Sequence, residues 1–151
     1  MVVTYGISIQ SDYPWGDSAG GGLAFALTMY LRDHQMPLPC GIVAMSPWTD
    51  LTASGESYES NFEKDAMFGK TKESIIYIND YSGEEEKTNP YISPAFGDFR
   101  HFPPVLIQVG SNEMLLSDAL TVAEKLKEAA NITHSMVRRM SFMKTSLVLL
   151  E

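Results

Sequence analysis

Cysteine, histidine and positive charge are all scarce in this chain, and each scarcity removes a class of function. A single cysteine, Cys40, cannot form a disulfide within the chain, so nothing calls for an oxidising compartment. It stands just before an apolar run, where a small core residue is the expected role. Three histidines without metal-ligand spacing predict neither a metal centre nor any other cofactor. Eleven basic residues against nineteen acidic ones give a formal net charge of -8, which disfavours nucleic acid and anionic membrane surfaces as partners. Long hydrophobic runs are absent too, so no membrane span is expected. Residues 1 to 10 lack the basic start and long apolar centre of a secretion signal, and a cytoplasmic location is the expectation. What remains is one globular domain at most, 44% hydrophobic and 20% charged.

Against that background one segment stands out. Gly16-Asp17-Ser18-Ala19-Gly20 fits G-x-S-x-G, and Gly21-Gly22 and an apolar stretch from Leu23 come directly after it. The pattern describes a sharp strand-to-helix turn that lifts a serine hydroxyl clear of a sheet, with small neighbours where backbone passes close. Ser18 is the candidate nucleophile. The next backbone N–H, that of Ala19, is the candidate oxyanion donor at the positive end of a helix. The competing reading makes Ser18 an ordinary helix cap.

The residues beyond Ser18 read as alternating helix and strand. Leu23, Ala24, Ala26, Leu27, Tyr30 and Leu31 recur near the helical period, predicting a buried helix over about 19 to 34 that Pro37 and Pro39 end. Gly41 to Met45 and Val105 to Val109 are short continuous apolar runs, read as strands buried on both faces. Ile132 to Val137 reads as the last strand and about 117 to 130 as a second helix. This alternation predicts an α/β fold with a parallel sheet. Residues 52 to 88 carry no strand signature. Ile75, Ile76 and Ile78 predict a helical excursion there. Residues 1 to 10 could supply one further strand, but Pro14 cannot donate to a ladder, so the strand feeding the turn at Ser18 is poorly encoded.

Five ordered blocks carry a family resemblance: Gly16 to Gly22, Leu38-Pro39, Ser46-Pro47-Trp48-Thr49-Asp50-Leu51-Thr52, Asn89-Pro90-Tyr91-Ile92-Ser93-Pro94, and Pro103 to Glu113. From about Trp15 to about Val137 the chain resembles the hormone-sensitive-lipase-like esterases of the α/β-hydrolase superfamily. The resemblance implies a mostly parallel sheet flanked by helices. It also implies carboxylic ester hydrolysis through an acyl-serine at Ser18, with a small-molecule ester of short to medium acyl length as substrate. By the same resemblance residues 52 to 88 belong to the cap side, where Phe62, Met67, Phe68 and Tyr77 line an acyl site or simply pack against the body. The family's His-Gly-Gly-Gly segment and early strands have no counterpart here.

A serine triad in this fold runs serine, acid, histidine along the chain. Glu113, in the turn after the second apolar run, is the favoured acid, since the adjacent Asn112 cannot carry the charge that stabilises an imidazolium. Asp118 is the alternative, although Ser117-Asp118 also reads as an ordinary helix start. Only His134 comes after Glu113, and it lies inside a predicted strand rather than in the loop beyond one; His34 and His101 precede the acid. Past Val137 the residues Arg138 to Met143 depart from the family pattern. Were Phe142 encoded TTC, Phe142-Met143 would contain the histidine codon CAT in a shifted frame, so a frame shift or truncated clone is one explanation.

Two functional readings stay open at this level. The first is a serine carboxylesterase, and the second is a catalytically inactive, truncated α/β-hydrolase fragment. Missing early strands would leave a bare sheet edge through which copies could associate as a homo-oligomer. A chymotrypsin-like protease is excluded because that fold is all-β, whereas here the serine opens an apolar helix.

Overall fold

The computed structural model of the chain describes residues 12–71, 77, 80–129 and the backbone of 133–138. Among these residues four strands form one parallel sheet in the order β1 (Trp15–Asp17), β2 (Ile42–Met45), β3 (Val105–Gly110), β4 (Thr133–Arg138). Helix α1 (Ala19–Asp33) connects β1 to β2, and α3 (Leu116–Glu128) connects β3 to β4. Between β2 and β3 the chain forms the single-turn α2 (Ser57–Ser60) and a 3₁₀ turn, Pro94–Phe96. The isoleucines behind the predicted helical excursion and the N-terminal segment 1 to 10 lie outside the described residues, as do residues 139 to 143.

The apolar runs make strands because every second side chain meets the core. Ile42 and Ala44 on β2, and Val105, Ile107 and Val109 on β3, are buried, while Val43, Met45, Leu106 and Gln108 are only half-buried. One face is therefore sealed and the other partly covered, rather than both buried. Phe25 and Met29 of α1, Phe99 and Phe102 of the approach to β3, and Val122 and Leu126 of α3 complete this core. Phe25 meets Phe99 edge to face, with ring centroids 5.9 Å apart.

The structure corrects three expectations. The inward face of α1 is Ala24, Phe25, Thr28 and Met29, whereas Leu23 and Leu27 stand 59% and 45% exposed. The apolar period alone does not distinguish the two faces; Phe25, the largest fully buried side chain of the helix, turns inward against Phe99. Cys40 is exposed rather than a core residue, its N–H bonded to the carbonyl of Asp12. The strand feeding Ser18 does form, over three residues. Pro14 takes part only as an acceptor, from the N–H of Val43, so its missing donor is never needed.

Candidate active site

In a parallel sheet the segments that leave the strands all emerge on the same side, outside the carboxyl ends. Ser18 comes directly after β1, Ser46 directly after β2, and the turn Ser111 to Glu113 directly after β3. These residues meet there. Ser18, Ser46 and Glu113 line one small cavity of about 60 Å³ together with Asp17, Asp65 and Phe68.

Ser18 has φ 53° and ψ -118°, a conformation that L residues rarely adopt and that persists only where surroundings enforce it. Three backbone hydrogen bonds enforce it. Its N–H donates to Met45 (3.0 Å), and its carbonyl accepts from Gly22 (3.2 Å) and from Trp48 (2.9 Å). The Ser18 side chain caps no helical N–H, so the capping role is not the one it plays. Ala19 is the first residue of α1, where N–H groups lack intrahelical partners.

The glycines around Ser18 are required unequally. A Cβ on Gly16 would stand 2.3 Å from the backbone of Gly20, and one on Gly22 would stand 2.1 Å from the Trp48 carbonyl oxygen. Gly20, the last position of the motif, faces open space.

Glu113 is half-buried, and its Oε1 accepts the N–H of Gly110 (3.0 Å). Burial raises its pKa above the ordinary glutamate value; the Gly110 N–H and the nearby Ser46 side chain oppose this, and the charges of Asp65 and Asp17 add to it. The turn itself is braced from the segment after α2. Asn61 Nδ2 donates to the carbonyls of Ser111 (3.1 Å) and Glu113 (2.9 Å). The buried Asp65 accepts from the N–H groups of Met114, Met67 and Phe68.

Asp118 lies apart from Ser18's cavity. It is 2% exposed, and its Oδ2 accepts the N–H groups of Thr49 (2.7 Å) and Asp50 (2.8 Å), fixing the Ser46-to-Thr52 block onto α3. Its Oδ1 finds no hydrogen-bond partner among the described residues. Burial pushes its pKa up to about 7, against the pull of the two amides. The folded chain therefore holds this proton more tightly than the unfolded chain does, whose carboxyl titrates near 3.8. The resulting stability is complete below about pH 4 and is lost as pH rises toward 7. Asp118→Asn keeps an acceptor for both amides and removes the titration. Urea unfolding at pH 5 and pH 8 should show the wild type losing about 2 kcal/mol more than this variant; equal losses would contradict this account of the buried carboxyl.

No histidine of the described residues lines the cavity that holds Ser18. His34 ends α1, exposed, with its ring stacked on Tyr30 at 3.9 Å. His101 is exposed in the turn after Phe99. His134 pairs in register with Leu106, four residues before the Gly110 and Arg138 pair at the strand ends. At about 3.3 Å per residue its backbone sits roughly 13 Å short of the side where Ser18 emerges.

The aromatic residues of the middle segment divide. Phe62 and Tyr77 pack with Phe68 against a second core of Trp48, Leu51, Tyr58, Met114 and Leu115, while Met67 and Phe68 also line Ser18's cavity. A larger apolar cavity of about 330 Å³ begins at Ala19 and runs past Leu23 and Ala26 to Trp48, Leu51 and Tyr91. Sequence reasoning missed it, because its walls come from three separated blocks. Among the described residues no acidic, histidine or cysteine cluster could hold a metal ion, and no helix is long and apolar enough to cross a membrane.

Comparison with known proteins fits this geometry. The profile of the alpha/beta hydrolase fold family matches residues 13–141. An acetyl-hydrolase of Streptomyces hygroscopicus is 39% identical over 114 residues, and an esterase of Acinetobacter venetianus is 36% identical over 114; each match takes in 76% of this chain. The chain spans 38% of the length of either relative. The crystal structure of an esterase from the bacterial hormone-sensitive lipase family superposes with a TM-score of 0.83 at 35% identity, over 92% of this chain and 47% of that one. A hormone-sensitive lipase from a metagenome library gives 0.80 at 35% identity, over 87% and 44%. The chain therefore belongs to the α/β-hydrolase family, in its hormone-sensitive-lipase-like branch.

Proposed function

We propose that this chain carries the nucleophile and the acid of a serine carboxylic ester hydrolase. The observation that supports the reading most is the left-handed turn at Ser18, which opens into a cavity shared with Glu113. In this reading the Ser18 hydroxyl oxygen attacks the ester carbonyl while a base takes its proton. The Ala19 N–H stabilises the oxyanion, and the alcohol departs with the returned proton. Water then attacks the acyl-serine and releases the carboxylic acid. Glu113 supplies the negative charge that a protonated imidazole requires. Asp118 is left to its structural role, since both amides it holds belong to the loop after β2.

The cavity beside Ala19 is apolar, and its volume is near the lower end of small-molecule sites, which suits a short apolar group of an ester. The name of one relative, acetyl-hydrolase, agrees with a small acyl group.

A second reading rests on one specific observation: the described residues bring no histidine to Ser18. In that reading the chain keeps the scaffold and is catalytically silent. Incubation with p-nitrophenyl acetate separates the two. Release of p-nitrophenol above a buffer blank supports the hydrolase, and a folded protein that leaves the blank unchanged supports the silent scaffold.

A further inference from the structure

We propose that two copies of this chain pair through the outward face of α1, antiparallel about a two-fold axis at the level of Phe25, so that Tyr30 of each copy seats on Gly20 of the other.

α1 carries no charged residue from Ala19 to Leu31. A helix apolar on every side expects cover on every side. The inward face has that cover in the core around Phe25 and Met29, yet Gly20, Leu23, Leu27 and Tyr30 are exposed. α3 differs, for its exposed residues, Leu120 apart, are Thr121, Glu124, Lys127 and Glu128. From Gly20 to Tyr30 the exposed positions of α1 advance by three, four and three residues, the spacing of a seam along which two helices pack.

Shape and area both point to a second copy as the occupant. Antiparallel pairing at the level of Phe25 sets Leu23 of one copy against Leu27 of the other, and Tyr30 against Gly20. At Gly20 a Cβ would meet nothing within 4 Å, so the chain itself leaves that place open for a ring. Tyr30 is already fixed, because His34 stacks on it with centroids 3.9 Å apart and Tyr91 meets it edge to face at 6.2 Å. A side chain ordered before association loses little entropy on docking. One end of the face is thus large and the other small, and the face is complementary to itself, as a two-fold interface requires. Pairing buries no charge, since none lies on the seam.

Leu23, Leu27, Tyr30 and the adjoining Tyr91 are between 40% and 59% exposed. At about 200 Å² for a large side chain they present roughly 400 Å² of apolar surface on each copy. Doubled over two copies, that falls among the small interfaces of transient complexes, so the dimer should dissociate in about the micromolar range. Gly20 and Leu23 also rim the apolar cavity, whose other walls include Ala26, Trp48 and Leu51 on the flank of α1, so pairing borders the cavity rather than fills it.

Sedimentation velocity over a concentration series, with circular dichroism to confirm folding, tests the seam. The wild type should pass from 16.8 kDa toward twice that mass as concentration rises. Leu27→Glu puts a charge in the middle of the seam and should stay monomeric, and Tyr30→Lys should do the same from its end. Trp15→Lys, on the edge strand β1, should associate as the wild type does. Gly20→Leu discriminates most sharply. It adds apolar surface, so an unspecific patch would associate more tightly, whereas filling the seat of Tyr30 should weaken the dimer about tenfold. A wild type that is monomeric throughout, a dimer that Leu27→Glu and Tyr30→Lys leave intact, or a dimer that Gly20→Leu strengthens would overturn the proposal.

Discussion

Ser18→Ala should return p-nitrophenyl acetate hydrolysis to the buffer blank while leaving the fold intact. In complete serine triads, loss of the nucleophile costs on the order of a millionfold in kcat. No neighbouring hydroxyl can substitute, because attack needs an oxygen at the turn that also presents the Ala19 N–H. Ser46, the other hydroxyl of the cavity, stands past the end of β2 rather than on that turn. Stability should hardly change. The Ser18 side chain makes no capping bond, and the three hydrogen bonds that fix the turn use its backbone, which alanine retains. Matched unfolding curves with turnover lost would locate the chemistry in one oxygen atom. Turnover that survives the substitution would place the reaction elsewhere on the molecule.

Gly22→Ala has the largest expected effect on stability. The new Cβ would lie 2.1 Å from the carbonyl oxygen of Trp48, a backbone atom that cannot rotate away. Trp48 also donates its N–H to Ser18, so pushing the segment after β2 outward breaks the bond that helps hold Ser18 at positive φ. Overpacking of this kind costs about 3 kcal/mol or more when backbone must move. Gly20→Ala is the control, since its Cβ would meet nothing within 4 Å. Replacing a helical glycine there should stabilise by roughly 0.5 to 1 kcal/mol. Urea midpoints that move in opposite directions would confirm the steric account; midpoints that fall alike would show that the first turn of α1 responds to glycine content alone.

Much of the sheet was legible because its signal is local. The runs Gly41 to Met45 and Val105 to Val109 are continuous, apolar and short, and each holds a strand. The turn at Ser18 was legible because its glycines crowd backbone, although the requirement falls on Gly16 and Gly22 rather than on Gly20. β1 was hidden, since its three residues are extended by pairing with β2 rather than by their own propensity. The inward face of α1 was hidden for a related reason. Leu23 and Phe25 are equally apolar in a pattern, and only the position of Phe99 across the core decides between them.

Site residues divided along the same line. Glu113 could be reached from its place after an apolar run, and Asp118 could be named as its rival. What separates them is long-range: Asp118 binds amides sixty-eight and sixty-nine residues earlier, and Glu113 faces a cavity that begins at Ser18. Ser46 and Asp65 carried no sequence signal of their own. A serine before a proline and an aspartate in a loop are common, and the place of Ser46 in Glu113's cavity and the bond of Asp65 to the Met114 N–H are visible only in the folded chain.

Mass spectrometry of the intact chain and its peptides after exposure to diethyl p-nitrophenyl phosphate reads the central claim without needing full turnover. The reagent transfers one phosphoryl group to an activated serine and releases p-nitrophenol. One modification, confined to the peptide that contains Ser18 and absent from Ser18→Ala, is the predicted result. An unmodified chain, or label spread over Ser46 and Ser111 as readily as Ser18, would contradict it.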